Sequence, residues 1–141
     1  MSEYILDLRK IVGHRPLLQV GASVIVENEL GQVLLQRRAD NHCWGYAGGS
    51  VELDEVVEDA ARRELLEETG LHARLIAGKK AISEYDIPPY TRKQVVLFLG
   101  KVEGNVTPQE AEVQNYQWVK AEKLEAYLHP DTYRVCRELL R

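Results

Sequence analysis

Residues 48–71 read GGSVELDEVVEDAARRELLEETGL. The pattern predicts a helix over 55–69, with Asp54 as N-cap and Gly70 as its stop. Along it Val57, Ala60, Ala61 and Leu65 recur at the interval of a buried face. Glu64, Glu67 and Glu68 share the other edge, because Glu67 and Glu68 follow Glu64 by three and four residues.

Such an edge opposes helix formation on its own. Each like-charged pair at this spacing costs about 0.2–0.5 kcal/mol, and the last turns face the negative end of the macrodipole. A cation is therefore expected beside the carboxylates. Arg63 precedes Glu67 by four residues and can pair with it, which leaves Glu64 and Glu68 as candidates for a divalent ion. With no Cys or His cluster nearby, three carboxylates suit a hard, oxygen-seeking ion such as Mg2+ or Mn2+ rather than zinc.

Gly49, Glu55, and the run Arg63, Glu64, Leu65, Leu66, Glu67, Glu68, Thr69, Gly70, Leu71 match every fixed position of the Nudix box, GX5EX7REUXEEXGU with U aliphatic. The chain thus resembles the Nudix (MutT-like) hydrolases, with the box at 49–71 and a flanking strand pattern that extends the likeness over most of its length. The resemblance implies an α/β fold, the Nudix-type α/β/α sandwich with a mixed central sheet. It implies hydrolysis of a pyrophosphate bond in a nucleoside diphosphate linked to another moiety, either a nucleoside triphosphate or a sugar nucleotide such as ADP-ribose. Glu64, Glu67 and Glu68 are then metal ligands, joined by the carbonyl of Gly48, for Mg2+ or alternatively Mn2+. Arg63 orients Glu67, Glu55 buttresses the loop, and Glu64 or Glu112 accepts the proton of the attacking water. Relatives often recruit one more carboxylate from the loop before the final strand, and here Glu112 is the first candidate and Glu110 the second. Ala47 departs from the proline that many relatives place before the glycine pair. A nucleotide-sensing module without turnover is the alternative; lost box glutamates would favour it, and none is missing.

The rest of the chain agrees with one domain. At 141 residues it supports a single core spanning 1–141. A net charge of -4 argues against binding duplex nucleic acid through its phosphates, and the partner that the resemblance implies is a small nucleotide. No long apolar run suggests a membrane span, and the opening MSEYILDLRK lacks a secretory pattern. Cys43 and Cys136, far apart and without metal-ligand neighbours, suit a reducing cytoplasm.

In chain order, 2–12 reads as an amphipathic helix ended by Gly13, free to pack on the domain or on a second copy in a homodimer. A strand over 17–26, a turn over 28–31 and a returning partner strand over 33–37 follow. Arg37 and Arg38 end that strand, placed either to hold phosphates or a carboxylate bidentately or to stand as ordinary surface arginines. Trp44 and Tyr46 are placed either to stack on a base or to cover the core. Strands over 72–84 and 93–102 flank DIPPYTR, which reads as a specificity loop or a plain hairpin. A short strand over 116–119, a helical stretch over 121–127 and a closing helix over 130–141 complete a mixed sheet between helices.

Overall fold

The computed structural model describes residues 3–39, 42–88, 90–107 and 113–141. Strand β1 (Leu17–Glu27) is the spine. Its β-branched and small residues alternate so that Ala22, Val24 and Val26 enter one buried cluster while Ile25 enters another. A strand buried on both faces needs layers on both sides, and the remaining elements supply them.

After a turn in which the Asn28 side chain accepts the N–H groups of Leu30 and Gln32, at 3.0 and 2.9 Å, the chain returns as β2 (Gln32–Arg38). The expectation that β2 runs back along β1 holds at one pairing, Glu27 with Val33. Beyond it β2 diverges and builds its ladder on β7 (Val113–Lys120), with β3 (Trp44–Gly45) on its other side. The edge of β1 left open is taken by β4 (Ala47–Ser50), antiparallel from Gly21 against Ser50 to Val24 against Ala47. β4 can lie this close because Gly48 has no side chain: a Cβ there would meet the Ser23 hydroxyl at 2.0 Å and the Ala22 carbonyl oxygen at 2.7 Å.

On its opposite edge β1 runs parallel to β6 (Thr91–Lys101), which forms a hairpin with the edge strand β5 (Arg74–Ile87). This hairpin is longer than the sequence suggests, because pairing continues to Ile87 with Thr91 and Arg92 bridges Asp86 and Glu84 at 2.9 and 3.1 Å. Little of DIPPYTR is left to be a loop.

Helix α1 (Glu3–Val12) ends at Gly13, φ +63°, and buries Ile5. The Arg9 guanidinium donates to the Tyr90 carbonyl and the Thr91 hydroxyl at 3.1 and 2.8 Å, and His14 stacks on Tyr90 with ring centres 4.6 Å apart. Tyr90 and the hairpin tip are therefore tied to the N-terminal segment.

Helix α2 (Val57–Thr69) covers one face of the sheet. It begins two residues later than the helix expected over 55–69, and the preceding Val56 is extended, with no side-chain cap from Asp54 or any other residue. The reason is Glu55, which two hydrogen bonds from Arg63, at 2.7 and 2.9 Å, hold in the preceding loop. A bidentate charged pair outweighs one first-turn hydrogen bond. Gly70, at φ +75°, closes the helix as expected. A 3-10 turn (Ala121–Ala126) and helix α3 (Pro130–Leu140) cover the other face through Leu124, Leu128, Cys136 and Leu139.

The two clusters share the sheet, so neither helix layer can be lost alone. Leu65 of α2 is fully buried. Leu65→Ala is expected to cost about 3 kcal/mol, read as a lower urea midpoint with an unchanged slope.

Candidate active site

The site is assembled where α2 passes β4. Glu68 is 8% exposed, and its carboxylate accepts from Gln36 Nε2 at 2.7 Å and from the Gly48 N–H at 3.0 Å. Burial pushes its pKa up to about 7, helped by the neighbouring Glu64 charge and opposed by the Gln36 and Gly48 hydrogen bonds. The backbone behind it is fixed as well: the Tyr116 hydroxyl donates to the Glu68 carbonyl, and the Thr69 hydroxyl donates to Leu65 at 2.6 Å.

Glu64 lies over the bare α-carbon of Gly49, where a Cβ would meet its Oε1 at 2.4 Å. Arg63 Nη1 donates to Glu64 at 2.9 Å. Burial raises the Glu64 pKa, and Arg63 works against that rise. Glu67 is the solvent-facing member, its side chain 47% exposed.

Arg63 has a different emphasis from the one expected. Its contacts to Glu67 are long, 3.4 Å to each oxygen, whereas Glu55, the Ser50 carbonyl at 3.0 Å and Glu64 hold it closely. Helical side chains lean toward the N-terminus, which aims this guanidinium back at the loop before α2. These contacts raise the Arg63 pKa above its usual value, and the Arg63 hydrogen bonds hold Glu55 below the usual carboxylate range. Arg63 thereby ties the loop, β4 and α2 together.

Beside this cluster a cleft of about 740 Å³ opens on the α3 side of the sheet. Gly48, Gly49 and Gln36, each touching Glu64 or Glu68, form part of its wall. Arg38 lines it, as do Lys93 and Tyr85. Arg37 does not; the strand register shifts between Arg37 and Arg38, and the Arg37 Nε donates to the His42 carbonyl at 3.3 Å. Trp44 and Tyr46 are both packed against the helical layer and open to the cleft. Each lines the cleft, yet Trp44 packs edge-on against Tyr127 at 5.7 Å and the Tyr46 hydroxyl donates to the Thr132 carbonyl at 3.3 Å. Tyr90 is engaged with α1, so from that hairpin the cleft receives residues of the paired strands themselves, Tyr85 of β5 and Lys93 of β6 among them. Glu110 and Glu112 lie outside the described residues. A second concavity of about 770 Å³, near Glu27, His72 and Glu103, holds none of the expected site residues.

Gln36 and Lys93 escaped the sequence reading. Gln36 left a faint signal, as a polar residue within a run of interior strand positions; Lys93 left none.

Glu64, Glu67 and Glu68 offer only oxygen ligands, and two are partly or fully withdrawn from water with raised pKa values, the condition of carboxylates that lack a cation. Among the described residues no three acidic, Cys or His side chains converge tightly enough to enclose an ion. The residue types fit Mg2+, with water and substrate completing its shell. Among the described residues no helix is long and apolar enough to cross a membrane.

Comparison with known proteins agrees with this geometry. The model of the NUDIX domain matches residues 17–139. A Bacillus subtilis (strain 168) protein provisionally named an 8-oxo-dGTP diphosphatase is 37% identical over 114 residues, 81% of this chain and 74% of its own length. Among solved structures, the MutT protein of Methanosarcina mazei Go1 superposes with a TM-score of 0.75 at 27% identity, covering 88% of this chain and 96% of that one. A C. elegans Ap4A hydrolase complex gives a TM-score of 0.78 at 21% identity over 85% of this chain and 93% of that one, a likeness of fold. With a box that matches in full, a glutamate-bearing helix seated on paired glycines and a sandwich shared with these proteins, the chain belongs to the Nudix family and is a Nudix pyrophosphohydrolase.

Proposed function

We propose that the chain is a Mg2+-dependent hydrolase of a nucleoside triphosphate, releasing pyrophosphate, with an oxidised purine nucleotide as the first substrate to test. The observation that carries the reading is the placement of Glu64 and Glu68 behind the wall of a cleft that also holds Arg38, Lys93 and aromatic rings. The similarity to the Bacillus protein supports the choice of substrate class.

Glu64, Glu67 and Glu68, with the Gly48 carbonyl, would hold the ion, Glu112 being a further candidate. When bound, the ion neutralises the diphosphate and makes water a better nucleophile. Gln36 and the Gly48 N–H keep the Glu68 carboxylate in one orientation, and Arg63 does so for Glu64. Glu64 or Glu112 would take the water's proton. Arg38 faces the phosphates, and Trp44 and Tyr46 supply flat surfaces for the base.

A nucleotide panel assayed with Mg2+, once coupled through pyrophosphatase and once through phosphatase, tests the reading. Signal through pyrophosphatase on a nucleoside triphosphate is the expected result. Signal through phosphatase alone, on a sugar nucleotide, would replace this substrate class. Tight binding without turnover across the panel would make the protein a sensor.

A further inference from the structure

Lys93 stands on β6 with Gln19 of β1 and Tyr85 of β5 as its cross-strand neighbours. Its side chain crosses Gly21 of β1: a Cβ on Gly21 would meet Lys93 Cε at 3.0 Å. That same point is 3.2 Å from the Gly49 carbonyl oxygen, so the end of the lysine arrives beside the glycine pair that seats Glu64 and Glu68. Lys93 lines the cleft and is half-buried, and its ammonium forms no hydrogen bond or ion pair with any described residue. Burial and the neighbouring Arg38 charge lower its pKa, while Glu64 pulls the other way. Glu64 is already held by Arg63. A cation brought into a cleft without an ionic partner has room for an anion there.

We propose that Lys93 binds a non-bridging phosphate oxygen of the substrate's pyrophosphate group, and that Gly21 is the bare crossing that lets its ammonium reach the glutamate cluster. The inference rests on the pyrophosphohydrolase reading of the site. The lysine keeps its proton throughout. Water gives its proton to the glutamate base and forms the new P–O bond, and the nucleoside monophosphate and pyrophosphate part as the bridging oxygen keeps the electron pair of the P–O bond that breaks. Lys93 and Arg38 thus neutralise phosphate charge from the cleft side, opposite the carboxylates.

The test compares wild type with Lys93→Met, Lys93→Arg, Gly21→Ala and the Gly21→Ala/Lys93→Met double variant. Each is assayed for turnover, titrated calorimetrically with inorganic pyrophosphate in Mg2+, and scanned for thermal stabilisation by Mg2+ alone. Lys93→Met should lose about 100-fold in kcat/KM and roughly tenfold or more in pyrophosphate affinity, while its response to Mg2+ alone is retained. Lys93→Arg should recover part of both losses. Gly21→Ala should mimic Lys93→Met more weakly through the displaced lysine, and in the double variant any further loss measures the pressure of the new Cβ on the Gly49 carbonyl oxygen 3.2 Å away. Unchanged kcat/KM and pyrophosphate affinity in folded Lys93→Met would overturn the proposal. Loss of the Mg2+ response together with pyrophosphate binding would also overturn it, by making Lys93 a structural residue. If the wild type hydrolyses none of the nucleotides, the proposed function fails, and the pyrophosphate titration still decides the role of Lys93.

Discussion

Glu68→Gln is expected to abolish turnover, by at least about 1,000-fold in kcat, while making the metal-free protein more stable at alkaline pH. The two effects share one cause. Burial beside Gln36 and Gly48 raises the Glu68 pKa to about 7. An acid whose folded-state pKa is raised holds its proton more tightly in the native state than in the unfolded chain. Its contribution to stability is intact below the unfolded value of 4.5, falls as pH rises, and is lost above about 7. The window is worth up to about 3 kcal/mol, so the variant and the wild type should match near pH 4.5 and diverge to that extent by pH 8. The amide also fits its surroundings. Its oxygen can accept from the Gly48 N–H, and its NH2 can donate to Gln36 Oε1, a buried acceptor without a partner among the described residues, once the Gln36 amide turns over. Urea denaturation of both proteins in EDTA across this range measures the difference. Added Mg2+ should then stabilise the wild type and leave the variant nearly unmoved. A variant less stable than wild type at pH 8 without metal would show that the buried carboxylate is not the strained group described here.

The neighbouring glycines are expected to fail in opposite ways. The three atoms nearest a Cβ on Gly49 all belong to the Glu64 carboxyl group, at 2.4 to 2.7 Å, and that group ends a side chain able to swing aside. Gly49→Ala should therefore cost under about 1 kcal/mol of stability yet lower kcat roughly 100-fold, because a small displacement of a reacting group is expensive. A Cβ on Gly48 meets the Ala22 carbonyl oxygen at 2.7 Å as well as Ser23, and the backbone of β1 cannot step aside. Gly48→Ala should separate β4 from β1 and cost about 2–3 kcal/mol or more. Chemical denaturation and steady-state kinetics on the two variants together check the contrast. Equal stability losses would mean that β4 rests on β1 more loosely than its register indicates.

The protein's local periodicities were legible in its residues. Helix α2, its buried stripe of Ala60, Ala61 and Leu65, its acidic edge and its Gly70 stop follow from intervals of three and four along one segment. The two-faced character of β1 follows from alternation in the same way. The box residues added the family, because their spacing matches a pattern that no single charge run would fix.

Partner choice was decided in three dimensions. Arg63 could reach Glu67 one turn away, but the fold brought Glu55 and the Ser50 carbonyl closer. Asp54 had the chemistry of a cap, yet the pull of Arg63 on Glu55 moved the helix start past it. The insertion of β4 beside β1, and the meeting of Gln36 with Glu68 and of Gly21 with Lys93, depend on strand register between distant segments. A shift of one residue in that register would turn each of these side chains to the opposite face. Periodicity within a segment is a property of its own residues, whereas register is the lowest free energy of the whole packed sheet. The sequence by itself therefore determined the fold class and the glutamates, and only the tertiary structure decided what surrounds them.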